Sequence, residues 1–173
     1  QNLLSGFGGQ GILFTGKFLA YKGLLADKNV SWLPSYGPEM RGGTASCSVI
    51  ISDEEVGSPI ISQPDVLIAM NLPSFEKFEP TVKAGGIVIA DSSLIEAKST
   101  RTDIDVYYIP ATALASDMGK QSLANMIILG KLLKVMNDFN EDEIKTVLGK
   151  VIPPKKADML EINMKAMQLG SEN

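Results

Sequence analysis

The sequence predicts a three-layer α/β/α protein built on a mixed, mostly parallel sheet. Two continuously apolar runs, 65–70 and 86–91, have the composition of central parallel strands that are buried on both faces. Segments of helical periodicity alternate with the strands, which predicts helices on either side of the sheet. With 45% hydrophobic residues, the 173 residues can build a sizeable core, so we expect 1–173 to form a single domain.

The chain opens with a predicted strand, a glycine turn and a helix. The strand covers 3–5, the turn covers 6–11, and one face of the following helix carries Phe14, Phe18, Tyr21 and Leu25. Small residues recur on another face at spacings of four and three: Gly16, Ala20 and Gly23. We interpret them as close packing on the sheet, with a partner groove as the alternative.

The next segment predicts an antiparallel pair at one side of the sheet. A short strand, 30–33, leads into a loop rich in proline and glycine. The following strand, 44–52, alternates in polarity, and the polar turn 53–55 suggests a β-hairpin with 56–61.

The remaining chain predicts a helix over 73–83, a strand near 106–109 and a helical C-terminal portion. Three helices are expected near 121–137, 140–151 and 155–169. The methionines before residue 140 predict core packing. The C-terminal helix within 151–173 follows two prolines, and it docks either on its own chain or on a partner.

Composition excludes several classes of function. With 16 basic and 20 acidic residues, a net charge of −4 and a pI near 4.9, the chain lacks the positive field that nucleic acid requires. One cysteine and no histidine do not suffice for an iron–sulfur cluster or a structural zinc.

Location is predicted from the same composition. No apolar run is long enough to span a membrane and no secretory signal is visible, so we expect a soluble, cytoplasmic protein. Because Gln1 opens what resembles the middle of a strand, we expect further residues before it.

The glycine turn has the spacing of a dinucleotide-binding motif, Gly6-x-Gly8-x-x-Gly11, in a strand–turn–helix context. Glycines permit close backbone approach, and free N–H groups at a helix start attract an anion. A nicotinamide enzyme also needs an acidic residue at the end of its second strand, and 32–35 offers none.

A second phosphate-binding pattern covers 11–17. It has the spacing of a Walker A loop, but Phe18 replaces the hydroxyl residue that would hold magnesium. We therefore interpret Lys17 as a solvated helix residue.

The loop 35–43 is the third candidate. Arg41, beside Gly42 and Gly43, could present its planar guanidinium to a carboxylate or phosphate. The alternative is that Arg41 pairs with Glu39 or with a partner subunit and only shapes the loop. These two interpretations stay open.

Two further groups are interpreted as structural. Cys47 lies within an alternating strand, which predicts a buried, inert thiol. Asp91 follows a strand end, where it can serve an active site or, as we favour, cap a turn or helix.

Taken together, the glycine turn 6–12 and the loop 35–43 resemble the γ subunits of 2-oxoacid:ferredoxin oxidoreductases, and the likeness continues through 51–52, 58–59 and 64–70. The motif Tyr-Gly-Pro-Glu-Met-Arg-Gly-Gly at 36–43 is most similar to that of the γ subunits of the 2-oxoglutarate branch. The resemblance implies a Rossmann-like domain whose cofactor-binding residues are Gly6, Gly8, Gly9, Gly11, Tyr36, Glu39, Arg41, Gly42 and Gly43.

The resemblance also implies a division of labour in a larger complex. Such an enzyme converts a 2-oxoacid and coenzyme A to acyl-CoA and carbon dioxide, and passes electrons to ferredoxin. Thiamine diphosphate, Mg and iron–sulfur clusters would belong to α, β and δ-type partner subunits, and this chain would hold none of them. The isolated chain would be inactive and could form a homodimer.

Two alternatives accompany this hypothesis. The first is a stand-alone Rossmann-type nucleotide-binding enzyme, which would bind NAD, FAD or ATP by itself. The second is a pure scaffold, in which Arg41 would have no effect on kinetics.

Overall fold

The computed structural model describes residues 1–35 and 44–173. Within these ranges a six-stranded sheet has the order β2-β3-β1-β4-β5-β6. The strands are β1 (Asn2–Phe7), β2 (Asn29–Ser35), β3 (Thr44–Ser52), β4 (Val66–Ala69), β5 (Ile87–Asp91) and β6 (Asp105–Ile109). β4, β5 and β6 extend from β1 in parallel, whereas β3 is antiparallel to both β1 and β2. Because only β3 is reversed among these strands, the predicted mixed, mostly parallel sheet is confirmed.

Helices cover both faces of the sheet, as a three-layer architecture requires. The α-helices of the described ranges are α1 (Ile12–Leu25), α2 (Leu72–Phe78), α3 (Ala111–Asp117), α4 (Ala124–Val135), α5 (Glu141–Val151) and α6 (Leu160–Glu172). Short 3₁₀ turns at Glu79–Thr81, Gln121–Leu123 and Pro154–Met159 precede or follow them. The larger core joins α1 and α3–α6 to what we call the first face of the sheet. The smaller core joins α2 and the segment after β5 to the second face.

The predicted hairpin between 44–52 and 56–61 is wrong. β3 lies between β1 and β2 and pairs with both, so neither of its edges is free for another strand. Residues 56–61 form no strand, and Gly57 and Pro59 interrupt the extended pairing that this segment would need. The antiparallel region is nevertheless on the predicted side of the sheet.

The small residues of α1 pack closely on the sheet, as predicted. A side chain at Gly16 would meet the Cys47 sulfur at 2.5 Å, and one at Gly23 would meet Val30 at 2.8 Å. The predicted apolar face of α1 is only partly buried, since Phe18 is in the core but Leu25 is about half exposed.

The C-terminal helix packs on its own chain, and docking on a partner stays a prediction. α6 packs on α4 so closely that a side chain at Gly130 would collide with the Met167 carbonyl, and one at Gly170 with the Ile127 carbonyl. Met126 and Met167 are fully buried in the core of the first face. Met136 departs from the predicted core packing, with 44% of its surface exposed.

Among the described residues, the helices are too short or too polar to traverse a bilayer.

Candidate functional site

The glycine turn joins β1 to α1 in a backbone conformation that requires glycine. Gly9 has φ of 93° and Gly11 has φ of 78°, both in the left-handed region that other residues rarely adopt. Gly11 is the residue from which α1 begins. The left-handed backbone therefore accounts for the glycines at positions 9 and 11.

Gln10 fixes the turn to the neighbouring strand. Its Oε1 accepts a hydrogen bond from the Phe7 N–H at 2.6 Å, and its Nε2 donates to the Met70 carbonyl at 2.9 Å. Phe7 ends β1 and Met70 directly follows β4, so one side chain links the ends of two parallel strands. A side chain at Gly6 would contact Gln10 Oε1 at 2.6 Å, which explains the glycine there.

A side chain of α4 holds the glycine turn by hydrogen bonds. Buried Asn125 donates from Nδ2 to the Gly11 carbonyl at 3.3 Å and to Thr15 Oγ1 at 3.2 Å. A side chain at Gly11 would collide with this amide. The core of the first face thus holds the start of α1 in place.

The start of α1 has the electrostatic character of an anion site. No described side chain caps its N–H groups, and the first turn contains no acidic residue. The unpaired amides at a helix start carry partial positive charge and favour phosphate or carboxylate.

Two cavities flank the turn at the carboxyl end of the sheet. The larger has a volume of about 370 Å³ and is lined by Gly9, Gln10, Met70, Leu94, Thr112, Gln121, Ser122 and Ala124. The smaller, about 240 Å³, is lined by Phe7, Gly8, Gly9, Gly11, Ile12, Leu13, Phe14 and Ala45. The chain leaves β1 toward β2 and β3 but leaves β4 toward β5, so the turn lies at a point where the strand order reverses. Ligands of open α/β sheets bind at such points.

The position of β3 argues against a stand-alone dinucleotide-binding enzyme. In that class, the strand following the first crossover lies beside β1 and ends in an acidic residue that holds the ribose. Here β3 separates β1 from β2, and Ala45 of β3 lines the cavity beside the turn. The second half of a dinucleotide site is therefore absent from the described part of this region.

The prediction that Lys17, in the second phosphate-binding pattern, is a solvated helix residue is confirmed. Lys17 is exposed on α1, and its ammonium lies 5.9 Å from the centre of the Tyr21 ring. It points along the helix surface and does not line either cavity at the turn.

The loop prediction lies outside the described residues. Tyr36, Glu39, Arg41, Gly42 and Gly43 belong to 36–43, and their predicted roles stay predictions. The residues that flank this segment are placed: Thr44 pairs with Phe7, at the end of β1.

Cys47 and Asp91 have the structural roles predicted for them. Cys47 is fully buried, and burial raises the pKa of its thiol to about 12, against a smaller lowering by the Trp32 indole. Asp91 accepts hydrogen bonds from the Ser93 N–H at 3.0 Å and from the Thr112 hydroxyl at 2.5 Å. It ties the turn after β5 to the start of α3.

Three polar residues of the turn region were not predicted from the sequence. Gln10, Thr112 and Asn125 all contact or line the turn region, but each depends on a partner far away in the chain. Gln10 alone carried a local signal, since it lies within the glycine motif.

Fold and site together define an α/β protein with an anion-attracting glycine turn at a strand-order reversal. The chain matches the family described as pyruvate ferredoxin/flavodoxin oxidoreductase over residues 1–173. It therefore belongs to that family, in agreement with the resemblance found in its sequence.

Two curated relatives show how the domain is used in different chain arrangements. The chain is 36% identical to the 2-oxoglutarate synthase subunit KorC of Methanocaldococcus jannaschii, covering 98% of this chain and 90% of that subunit. It is also 36% identical to the ketoisovalerate oxidoreductase subunit VorA of Methanothermobacter marburgensis, covering 98% of this chain. There it spans only 35% of the relative's length.

Two solved structures have the same fold. The γ subunit of a keto/oxoacid ferredoxin oxidoreductase from Geobacter sulfurreducens is 28% identical, with a TM-score of 0.81 over 99% of this chain and 95% of that one. The 2-oxoglutarate:ferredoxin oxidoreductase of Magnetococcus marinus, with 2-oxoglutarate, coenzyme A and succinyl-CoA bound, is 26% identical. Its TM-score is 0.85, over 99% of this chain and 30% of that one.

Proposed function

We propose that this chain is the γ-type subunit of a 2-oxoacid:ferredoxin oxidoreductase, with 2-oxoglutarate as the substrate of the assembled enzyme. The complex would convert the 2-oxoacid and coenzyme A to acyl-CoA and carbon dioxide, with ferredoxin as electron acceptor. The observation that carries the proposal is the uncapped glycine turn at the strand-order reversal, in a chain that is 36% identical to a 2-oxoglutarate synthase subunit over nearly its whole length.

The chain would contribute to the coenzyme A side of the active site. Coenzyme A carries several phosphate groups, and the amides that start α1 favour such anions. Gly6, Gly8, Gly9 and Gly11 would let the backbone approach a phosphate, while Arg41 would bind the same anion with its planar guanidinium. Tyr36, Glu39, Gly42 and Gly43 would shape the loop that presents Arg41.

The electron-transfer chemistry would belong to partner subunits. An iron–sulfur cluster needs several thiolates, whereas this chain has one cysteine, which is buried in the core. The residues of this chain do not fit such a cluster. Thiamine diphosphate with Mg would supply the carbanion chemistry on α and β-type subunits, and δ-type subunits would carry the clusters. An enzyme of this kind works in the cytoplasm.

Kinetics of the reconstituted complex test the proposal. Replacing Arg41 by alanine removes a charge-assisted hydrogen bond, which is worth about 1.5 to 3 kcal/mol, so the apparent KM for coenzyme A should rise roughly tenfold or more. Arg41→Lys keeps the charge but loses the planar fork, and should give an intermediate KM.

The matched control is Lys145→Ala, which removes an exposed cation from α5 without touching the turn. Its KM should equal that of the wild type. An unchanged KM and unchanged assembly of the Arg41→Ala complex would show that Arg41 has neither role.

A further inference from the structure

Among the residues that the structure describes, no helix of the smaller core packs on the second face of β2 and β3, although Ile50 is buried at one end of that face. Cys47 and Val49 of β3 point to the first face, where α1 packs on them. Because side chains alternate along a strand, Ser46 and Ser48 point to the second face. We call the surface formed there by Ser31, Leu33 and Ser35 of β2 with Ser46 and Ser48 of β3 the serine face.

One row of side chains across the sheet shows where the cover ends. Leu3, Ser48 and Leu33 lie side by side on β1, β3 and β2. Leu3 is packed in the core beneath α2 and is 6% exposed, Ser48 is half-buried, and Leu33 is 42% exposed. α2 therefore buries the second face at β1 but does not extend as far as β2.

The serine face lacks the charges that usually protect an exposed sheet. Edge strands generally carry charged side chains, often lysine, which prevent association with other chains. β2 is an edge strand, yet neither it nor β3 contains a charged residue. Depletion of charge around a central apolar side chain is typical of the buried core of a protein–protein interface.

The composition of the serine face also restricts what can bind it. A charged partner surface would lose its hydration here without gaining an ion pair, which is costly. The partner must therefore present an uncharged surface of apolar and small polar groups. Permanent complexes have interfaces of this kind.

The longer relatives indicate which partner is permanently present. In VorA the region matching this chain is 35% of the polypeptide, and in the Magnetococcus marinus enzyme it is 30%, so this domain and the rest are covalently joined there. The serine face also reaches the candidate site, because Phe7, which lines the smaller cavity, pairs with Thr44 at the end of the same face.

We propose that the serine face binds the subunit that corresponds to the remainder of these longer relatives, through an uncharged surface of that subunit. Docking there places the partner against the glycine turn and completes the walls of the smaller cavity. This inference rests on the proposed function.

Introduced charge tests the inference in the complex. The tagged chain is co-expressed with the thiamine diphosphate-binding subunits encoded by the same organism, and the complex is quantified by native mass spectrometry. Leu33→Asp and Ser48→Lys should each weaken association about tenfold or more, because each buries an unpaired charge in the interface. Both positions are at least partly exposed, so the isolated variants should keep the wild-type circular dichroism and melting temperature.

Two controls separate charge from position. Ser48→Ala changes the same site without adding charge and should bind as the wild type does. Met136→Asp adds a charge at an exposed apolar residue after α4, away from the serine face, and should also bind normally.

Each result has a distinct meaning. If the wild type assembles and both charged variants assemble equally well, the inference about the serine face is overturned while the proposed function stands. If the wild type assembles with no thiamine-dependent subunit, the proposed function fails, and the inference with it. If a Leu33→Cys variant within the assembled complex cross-links to a second copy of itself, the face joins two copies of this chain and the inference is wrong.

Discussion

At the scale of single residues, Cys47 shows how the close packing of α1 determines chemical behaviour. Its sulfur lies where Gly16 leaves room, beside the Trp32 indole. Burial raises the pKa of the thiol to about 12, which the indole hydrogen bond opposes only in part. At neutral pH the side chain is therefore a protonated, inert thiol.

We predict that native Cys47 resists alkylation. At pH 8 a thiol of pKa 12 has about a thousandfold less thiolate than one of pKa 9, so iodoacetamide should react about a thousandfold more slowly than with an unfolded reference. The same urea-denatured chain should react at the ordinary rate, as followed by intact mass. Rapid labelling under native conditions would contradict the buried position.

The raised pKa of Cys47 makes the folded state less stable as the pH rises through the alkaline range. Above pH 9.0 the thiol ionises in the unfolded chain but stays protonated in the folded one. The contribution of Cys47 to the free energy of unfolding is therefore fully present below pH 9 and declines as the pH rises toward 12. Cys47→Ala removes this contribution and should flatten the alkaline limb of the stability curve.

The conformation of the glycine turn was predictable from the sequence, whereas its long-range contacts were not. Gly9 and Gly11 were predictable because a tight turn needs positive φ, a property of single residues. Asn125 was not, because its contact with Gly11 spans more than a hundred residues of chain. No pattern local to α4 distinguishes a supporting amide from any other buried polar side chain.

At the scale of elements, the packing of α6 on α4 depends on two reciprocal glycines. Gly130 faces the backbone of Met167, and Gly170 faces the backbone of Ile127. Backbone atoms cannot move aside as a flexible side chain can, so even one added methyl group must push the helices apart.

We predict that Gly170→Ala destabilises the fold although alanine favours helices. Overpacking should cost about 1 to 3 kcal/mol, measured as the change in the free energy of urea-induced unfolding. Gly149→Ala is the matched control, because a side chain at Gly149 in α5 meets nothing within 4 Å. That substitution should stabilise by about 0.5 to 1 kcal/mol. Equal effects at both positions would contradict the close approach of α4 and α6.

Element-scale predictions were accurate where a pattern is local and wrong where pairing is not. The apolar runs around β4 and β5 predict buried strands because both faces are covered. The sequence of β3 does not reveal which strands pair with it. Alternation of polarity determines which face of β3 is buried, but not which strand lies alongside. α3 was missed because its seven residues, ATALASD, are mostly small and carry no clear apolar stripe.

At the scale of the whole molecule, the sheet is covered unevenly. In the described ranges, helices pack on the first face from β3 to β6, whereas helical cover of the second face extends only from β1 to β6. A sheet face without helical cover suits a domain that packs against further protein. This agrees with relatives in which it is either a subunit or a third of a longer polypeptide.

We predict that the isolated chain does not respond to nucleotides. A nucleotide-binding enzyme with a Kd of about 10 μM would gain about 2.7 kcal/mol from 1 mM ligand, which raises Tm by roughly 5 °C or more for a domain of this size. NAD, FAD or ATP at that concentration should move the Tm of this chain by less than about 1 °C in differential scanning calorimetry. A large shift with any of them would favour the stand-alone enzyme.

The Gln10 bridge between the ends of β1 and β4 has a consequence for how the crevice works. Gln10 joins the Phe7 N–H to the Met70 carbonyl past the last paired residues of the two strands, and these hydrogen bonds oppose separation of the strand ends. For a ligand in the crevice, the N–H donors at the start of α1 would already be oriented. The protein would then lose little conformational entropy on binding. Such a rim favours recognition by fit over recognition by rearrangement.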